Sequence, residues 1–405
     1  NYGADAVYGG VSHFSLRIRS GKEFTYESFK EAIDYTHEQN KKLYVTINGF
    51  PFNSQLKLLE KHIEKVALMS PDALIVSTPA VIKLCKKVAP NIPLHLSTQA
   101  NVLNYLDAEF YYDIGISRVI AAREISLNDV IEIKKHLPNL EIEVFVHGSM
   151  CFAYSGRCLI SAVQSGRVPN RGSCANDCRF NYNLYAENPD NGTLFRIEES
   201  SDEGTYIMNA KDLNLSNHIH ELISSNAIDS LKIEGRTKSP YYAAITAKVY
   251  REAIDDYYDG KTDTKKYEAE LNTTKNRGFT DAYLVQKPFE RHDTQNLTSA
   301  MSVGEWEISG LVDENGETFM CKYKTLLNED IEILTPKNQQ LDTIDNEIGS
   351  IKLIDNKYYI NFKKLLTITN KELTSVHSGN LNPIKLPTKL PPFTIFRKKS
   401  EQISQ

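Results

Sequence analysis

"EVFVHGSMCFAYSGRCLIS", residues 143–161, opens as an apolar strand, turns at His147-Gly148 and then sets Cys151 and Cys158 in what reads as a loop. A little further, "RGSCANDCRF" (171–180) adds Cys174 and Cys178, so four of the 6 cysteines share one region. A buried strand that runs directly into chemistry is the arrangement of α/β proteins, whose sites lie at the carboxyl ends of parallel strands.

Working outward, short β-branched runs alternate with helical patterns. The runs are "ADAVY" (4–8), "KKLYVTIN" (41–48), "DALIVST" (72–78), "IPLHLST" (92–98), "SRVIAA" (117–122), "EIEVFVHG" (141–148), "TYIMN" (205–209) and "SLKIEG" (230–235). Between them lie helix-like stretches such as "TYESFKEAIDYTHEQN" (25–40), "SQLKLLEKHIEKVALM" (54–69) and "SLNDVIEIKKHL" (126–137), with Ser54 and Ser126 as expected N-caps. Strand–helix alternation implies parallel strands, and its repetition predicts a TIM-like (β/α)8 barrel, with an open doubly wound sheet as the alternative. The opening "NYGADAVYGG" reads as the end of a helix followed by a strand, so a first strand and helix are expected to precede it.

Polar residues recur at the strand ends: Asn48, Thr78, Ser97, Thr98, Gln99, Asn101, Arg123, Glu124, His147, Asn209, Lys211, Asp212, Glu234 and Arg236. A helix cap or a loop hydrogen bond explains any one of them. Their recurrence favours the barrel, which brings all those ends onto one face.

The alternation stops after "YYAAITAKVYREAIDDYYDG" (241–260). Two hairpins follow, "GEWEISGLVDENGETFMCKYK" (304–324) around Asn315-Gly316 and "IGSIKLIDNKYYINFKK" (348–364) around Asp355-Asn356. The expected domains are therefore a barrel over 1–260 with a cysteine-rich insertion at about 148–182, a linker over 261–297 and a small antiparallel β-barrel-like domain over 298–385. A basic, proline-containing tail over 386–405 is expected to pack loosely.

The 405 residues carry a net charge of −5, 41% hydrophobic and 24% charged residues, a balance normal for a globular chain with a core. No apolar run is long enough to span a bilayer, and the start lacks a signal-peptide pattern, so a cytoplasmic location without membrane association is expected. The overall charge gives no pull toward nucleic acid, but Arg157, Arg167, Arg171 and Arg179 make the cysteine segment locally basic.

In a reducing compartment clustered cysteines serve more often as metal or redox groups than as disulfides. The spacing C-x6-C-x15-C-x3-C offers four soft sulfur donors to an iron–sulfur cluster or a tetrahedral zinc. The absence of C-x2-C knuckles favours the cluster. Cys85 and Cys321 sit in amphipathic patterns and read as buried apolar residues. There is no H-E-x-x-H, G-x-S-x-G or P-loop motif. His147 is a candidate general base beside the cysteines, with a structural, hydrogen-bonded histidine as the alternative.

"EVFVHGSMCFAYSGRCLIS" closely resembles the signature of the collagenase-like peptidase family of unknown catalytic type, which also contains proteins that hydroxylate tRNA and ribosomal RNA. The resemblance extends through "NYGADAVYGG", "FSLRIRS", "LHLSTQANV", "RVIAAREIS", "NRGSCANDCRF", "YIMNAKDLNL" and "LKIEGRTKSPYYAA", and thins in the C-terminal β-domain. It implies a TIM-like barrel. For the hydroxylation branch it implies an iron–sulfur cluster on Cys151, Cys158, Cys174 and Cys178 and 5-hydroxyuridine formation at the tRNA wobble position, linked to prephenate. The family's older label implies collagen or gelatin degradation.

On the hydroxylation reading His147, Arg123, Glu124, Glu234 and Arg236 are the candidate catalytic residues, and Arg17, Arg19, Asn48 and Gln99 the candidate co-substrate residues. Arginine forks match carboxylates, which makes Arg17, Arg19, Arg123 and Arg236 candidates for a prephenate-like donor, while the four insertion arginines suit RNA phosphates. A binding module with a structural zinc, its β-domain contacting RNA or a partner, is the third reading.

Overall fold

The computed structural model describes residues 1–11, 14–16, 24–180, 182–197, 209–235, 238–285, 288, 291–296, 304 and 306–399. Its first sheet is built from β1 (Ala6–Gly9), β2 (Lys42–Ile47), β3 (Ala73–Val76), β4 (Leu94–Leu96), β5 (Arg118–Ile120) and β6 (Glu141–Ser149), paired in that order and all parallel. The helices α1 (Tyr26–Glu38), α2 (Leu56–Ala67), α3 (Pro79–Val88), α4 (Tyr105–Asp113) and α5 (Leu127–His136) alternate with these strands. In β2 and β3 nearly every residue is buried, as strands covered on both faces require.

Local signals explain several boundaries. Ser126 caps α5 in a reciprocal box with Asp129, and Thr78 caps α3 ahead of Pro79. Ser54, expected as a cap, instead lies inside a 3-10 turn, Asn53–Gln55. There the Gln55 side chain accepts from the Phe52 N–H at 3.0 Å, and α2 starts only at Leu56.

Beyond β6 the chain forms the short helix α6 (Ile160–Ser165) and a hairpin of β7 (Leu184–Glu187) and β8 (Leu194–Ile197). It then returns to the sheet. The strand β9 (Asp212–Asn214) pairs antiparallel with the end of β6, matching Asp212 to Ser149. After α7 (Ile219–Ser224), β10 (Ser230–Ile233) pairs parallel with β6. The long helix α8 (Pro240–Tyr258), α9 (Lys265–Leu271) and β11 (Phe279–Thr280), which pairs with β9, complete the unit.

The expected barrel is therefore a curved sheet with seven parallel strands, β1 to β6 and β10, whose edge strands approach without a ladder between them among the described residues. The Tyr8 hydroxyl donates to the Ile233 carbonyl at 3.2 Å, and Lys232 Nζ lies 3.9 Å from the Tyr8 ring centre. A cavity of about 750 Å³ lies along these edges and α8. Inside the curve Glu143 is buried between Arg118 at 3.2 Å and Lys232 at 2.5 Å, and accepts from Ser230 at 2.9 Å. Burial opposes its ionisation, but Lys232 and Arg118 hold its carboxyl below the usual range. Of the expected strands, "TYIMN" lies outside the described residues except for Asn209.

Within residues 306–399 the chain builds an antiparallel sheet, including the hairpin Trp306–Val312 with Thr318–Cys321 and the hairpin Gly349–Ile354 with Lys357–Phe362. Asp355 and Asn356 both have positive φ at the second turn, as a tight two-residue hairpin demands. Two domain expectations are corrected here. The segment read as a linker carries α9, whose Tyr267 and Leu271 are buried in the first core. The segment read as a loose tail carries the strand Ile395–Lys399, which runs between Trp306–Val312 and Asp330–Leu334.

That strand is held by Arg397, which is 1% exposed. Its guanidinium donates to Glu270 at 2.6 and 3.2 Å, to Glu332 at 2.7 Å and to the Tyr241 hydroxyl at 3.0 Å. The arginine thus ties α8 and α9 of the first unit to the β-domain. Among the described residues no helix is long and apolar enough to cross a membrane.

Candidate functional site

The loop after β6 folds back over the strand ends. Gly156 packs so close to the backbone of Gln99 that a Cβ there would meet its carbonyl oxygen at 2.3 Å. Asn170 donates to the Gly156 carbonyl at 2.9 Å, and its own carbonyl accepts from Phe50 N at 3.2 Å. The insertion is thereby pinned across the loops that follow β2 and β4.

Asn48 and Gln99 are brought together, with Asn48 Nδ2 lying 3.3 Å from Gln99 Oε1 and 3.4 Å from Ser97 Oγ. Asn48 Oδ1 accepts from Leu16 N at 3.1 Å, so both side chains take part in the framework of the mouth. Thr78 serves as a helix cap. Arg17, Arg19 and Arg236 lie outside the described residues.

Arg123 and Glu124, at the end of β5, share a pocket of about 530 Å³ with Cys151, Phe152, Tyr154, Ser155 and Tyr283. The Arg123 guanidinium stacks 3.8 Å from the Phe145 ring centre. Glu124 Oε1 accepts from Ser155 N at 2.9 Å, which fixes the loop. Its Oε2 is buried with no hydrogen-bond partner among the described residues, leaving an acceptor beside the pocket.

His147 faces elsewhere. The register of β10 on β6 shifts between Lys232, opposite Phe145, and Ile233, opposite His147. This bulge turns the imidazole toward α8, where it sits among Tyr242, Tyr250 and Phe279 with Nδ1 3.3 Å from the Tyr250 hydroxyl. Burial pushes its pKa down to about 4, so the ring is neutral near pH 7. Glu234, next along β10, donates its N–H to the His147 carbonyl at 2.9 Å, and its carbonyl accepts from Tyr242 at 2.9 Å. Gly148, with φ +124°, passes so close that a Cβ would meet the Glu234 carbonyl at 2.6 Å.

The four insertion cysteines are gathered in one region. Burial raises the Cys158 thiol, and Cys151 and Cys174 raise it further. Cys178 is pushed up to about 11 by burial, with Cys151, Cys174 and Cys158 adding to the rise and Arg179 opposing it. The sulfurs are within mutual electrostatic reach, although among the described residues no three His, Cys, Asp or Glu side chains converge as a metal centre. As chemistry the donor set fits a soft metal or an iron–sulfur cluster, which binds the deprotonated thiols.

The surface of the insertion is basic and aromatic. Arg157, Arg167 and Arg171 are exposed, as are Phe152, Tyr154 and Phe180. Arg171 lies 4.6 Å from the ring centre of exposed Phe52. Such interleaving offers charge to phosphates and flat faces to unstacked bases.

Two site-flanking cations escaped the sequence reading. Arg277 pairs with Asp212 in the interior, and Lys238 Nζ lies 3.8 Å from the same carboxylate. Lys238 stands in the recognisable run "EGRTKS", but nothing in "KNRGFT" marks Arg277 as a buried ion.

A curved parallel sheet with a four-cysteine insertion over its strand ends defines the class. The chain matches the model of Peptidase family U32 over residues 1–294 and belongs to that family. Among its relatives, tRNA hydroxylation protein P of Helicobacter pylori (strain ATCC 700392 / 26695) is 62% identical over 98% of this chain and 94% of its own length. Its counterpart of the same name in Escherichia coli (strain K12) is 38% identical over 86% of each chain. A Porphyromonas gingivalis protein named Collagenase is 30% identical over 70% of this chain and 69% of its own length.

Proposed function

We propose that this protein modifies tRNA, serving 5-hydroxyuridine formation at the wobble position with a prephenate-like carboxylate as co-substrate and an iron–sulfur cluster on Cys151, Cys158, Cys174 and Cys178. The observation that carries the reading is Cys151 in the lining of the Arg123–Glu124 pocket, within electrostatic reach of the other three insertion cysteines and beside a basic and aromatic surface. The near full-length similarity to tRNA hydroxylation protein P supports it.

Each part of the site has a role in this scheme. Exposed Phe152 and Tyr154 stack on bases of a single-stranded loop, and Arg157, Arg167 and Arg171 hold its phosphates. Glu124 Oε2 supplies an acceptor at the pocket, and Arg123, braced on Phe145, a fixed positive charge. A cluster on the four thiolates would supply redox or Lewis-acid chemistry at the mouth.

The relative named Collagenase keeps a peptide-cleaving reading in view. A thiol protease needs an imidazole held against a free thiolate. Among the described residues His147 instead contacts Tyr250, and the contacts of Cys174 are Ser161 and Asn176.

The test is mass spectrometry of tRNA nucleosides from cells lacking the gene and complemented with the native chain or with Cys174→Ser. Restoration of 5-hydroxyuridine by the native chain alone is expected. Restoration by neither would sink the proposal, and restoration by both would remove the cysteines from the reaction.

A further inference from the structure

Beside the cysteine loop lie one buried and two partly buried cations, and the bonding of two of them is incomplete. Arg277 is 4% exposed; one arm of its guanidinium and its backbone N–H are bound by Asp212, the latter at 3.3 Å. Its Nε is buried with no partner among the described residues. Lys238 Nζ lies 3.8 Å from Asp212 Oδ2 and donates to the Lys275 carbonyl at 3.2 Å. Arg179, the residue after Cys178, also has a buried Nε without a partner.

These groups act on one another. Burial lowers the Lys238 pKa, and Arg277 and Arg179 lower it further, against Asp212 and Glu234. Burial also lowers that of Arg277, with Asp212 opposing and Arg179 adding to the fall. Arg277 and Lys238 therefore share the Asp212 carboxylate, and Arg179 lies within electrostatic reach of both. Buried guanidinium N–H groups left unbonded are costly, and a planar or tetrahedral oxyanion is the partner their fork geometry fits.

We propose that Arg277, Lys238 and Arg179 form an oxyanion-binding site beside the four-cysteine loop, which takes a carboxylate or phosphate group. Asp212 positions Arg277, and the pairing of Asp212 with Ser149 on β6 sets the site two residues from Cys151 along the strand that carries the loop. The inference rests on the hydroxylation reading only for what the bound anion does, namely anchor the co-substrate or an RNA phosphate.

The experiment is isothermal titration of the purified, metal-loaded full chain with malonate and with inorganic phosphate at fixed ionic strength. Saturable one-site binding of one of them is expected, weakened at least tenfold in Lys238→Gln and in Arg179→Gln and unchanged in the exposed Lys135→Gln. Arg277→Gln strips Asp212 of its partner and risks unfolding, so Arg277→Lys, which keeps charge and loses the fork, is the companion variant and should also bind weakly. Malonate binding that tRNA does not displace assigns a small carboxylate, and phosphate binding that tRNA displaces assigns the RNA backbone. Heats that never saturate, or equal affinity in native chain, Lys238→Gln and Arg179→Gln, overturn the site. Intact anion binding in a protein that restores no 5-hydroxyuridine would overturn the proposed function alone.

Discussion

The Tyr250 hydroxyl lies 2.7 Å from the Val146 carbonyl and 3.1 Å from Asn214 Oδ1, both acceptors for its proton, and stands 3.3 Å from Nδ1 of His147. The imidazole is thereby packed in the seam between β6 and α8, with Tyr250 and Asn214 as its polar neighbours. Burial lowers the His147 pKa to about 4, while the unfolded chain titrates near 6.5. Between those values the unfolded state binds the extra proton, so this histidine's contribution is complete above about 6.5 and is lost as pH falls toward about 4. His95, lowered to about 3 by burial and by Arg118, acts in the same direction. Thermal unfolding followed from pH 7 to pH 4.5 should show a falling midpoint, with a shallower fall in His147→Gln; an identical slope in that variant would refute the assignment.

Arg397 anchors the two units through buried ion pairs, and removing one partner of such a group leaves uncompensated charge. Arg397→Met should therefore cost about 3–5 kcal/mol in urea unfolding. Glu270→Gln, which leaves Glu332 on the arginine, should cost less. Equal stability of native chain and Arg397→Met would show that the contact contributes nothing.

What the sequence made legible was set by local period. The β-branched runs became strands because both their faces are covered, and Ser126 caps α5 through bonds within a single turn. The direction of His147 was not legible because it depends on the register shift against β10, and one residue of shift reverses a strand's faces. The strand Ile395–Lys399 hid behind Pro391 and Pro392 and a run of cations. Its burial depends on Glu332 and Glu270, 65 and 127 residues away. Arg277 was invisible for the same reason, since its partner Asp212 is 65 residues distant.

The six cysteines should divide by environment. Cys85 is fully buried, and desolvation pushes its thiol up to about 12, which leaves almost no thiolate at pH 7. Exposed Cys151 should react with iodoacetamide in the native, metal-free protein at least tenfold faster than Cys85. Loading with iron and sulfide should protect Cys151, Cys158, Cys174 and Cys178 together, as read by mass mapping of alkylated peptides. Continued alkylation of all four after loading would show that the metal is held elsewhere.

Glu124 separates positioning from chemistry within one side chain, because Oε1 holds Ser155 N while Oε2 is buried and unbonded beside the pocket. Glu124→Gln keeps an acceptor for the Ser155 N–H and replaces the charged oxygen, so the loop should stay in place and iron content should match the native chain. If Oε2 acts on the substrate, 5-hydroxyuridine formation should fall at least tenfold at saturating tRNA. Glu124→Ala removes both functions and should lower iron content as well, because the loop that carries Cys151 and Cys158 loses its tether. Activity retained in Glu124→Gln but lost in Glu124→Ala would assign Glu124 to holding the loop, and the reacting group would then have to be sought near Cys178, among Arg179, Lys238 and Arg277.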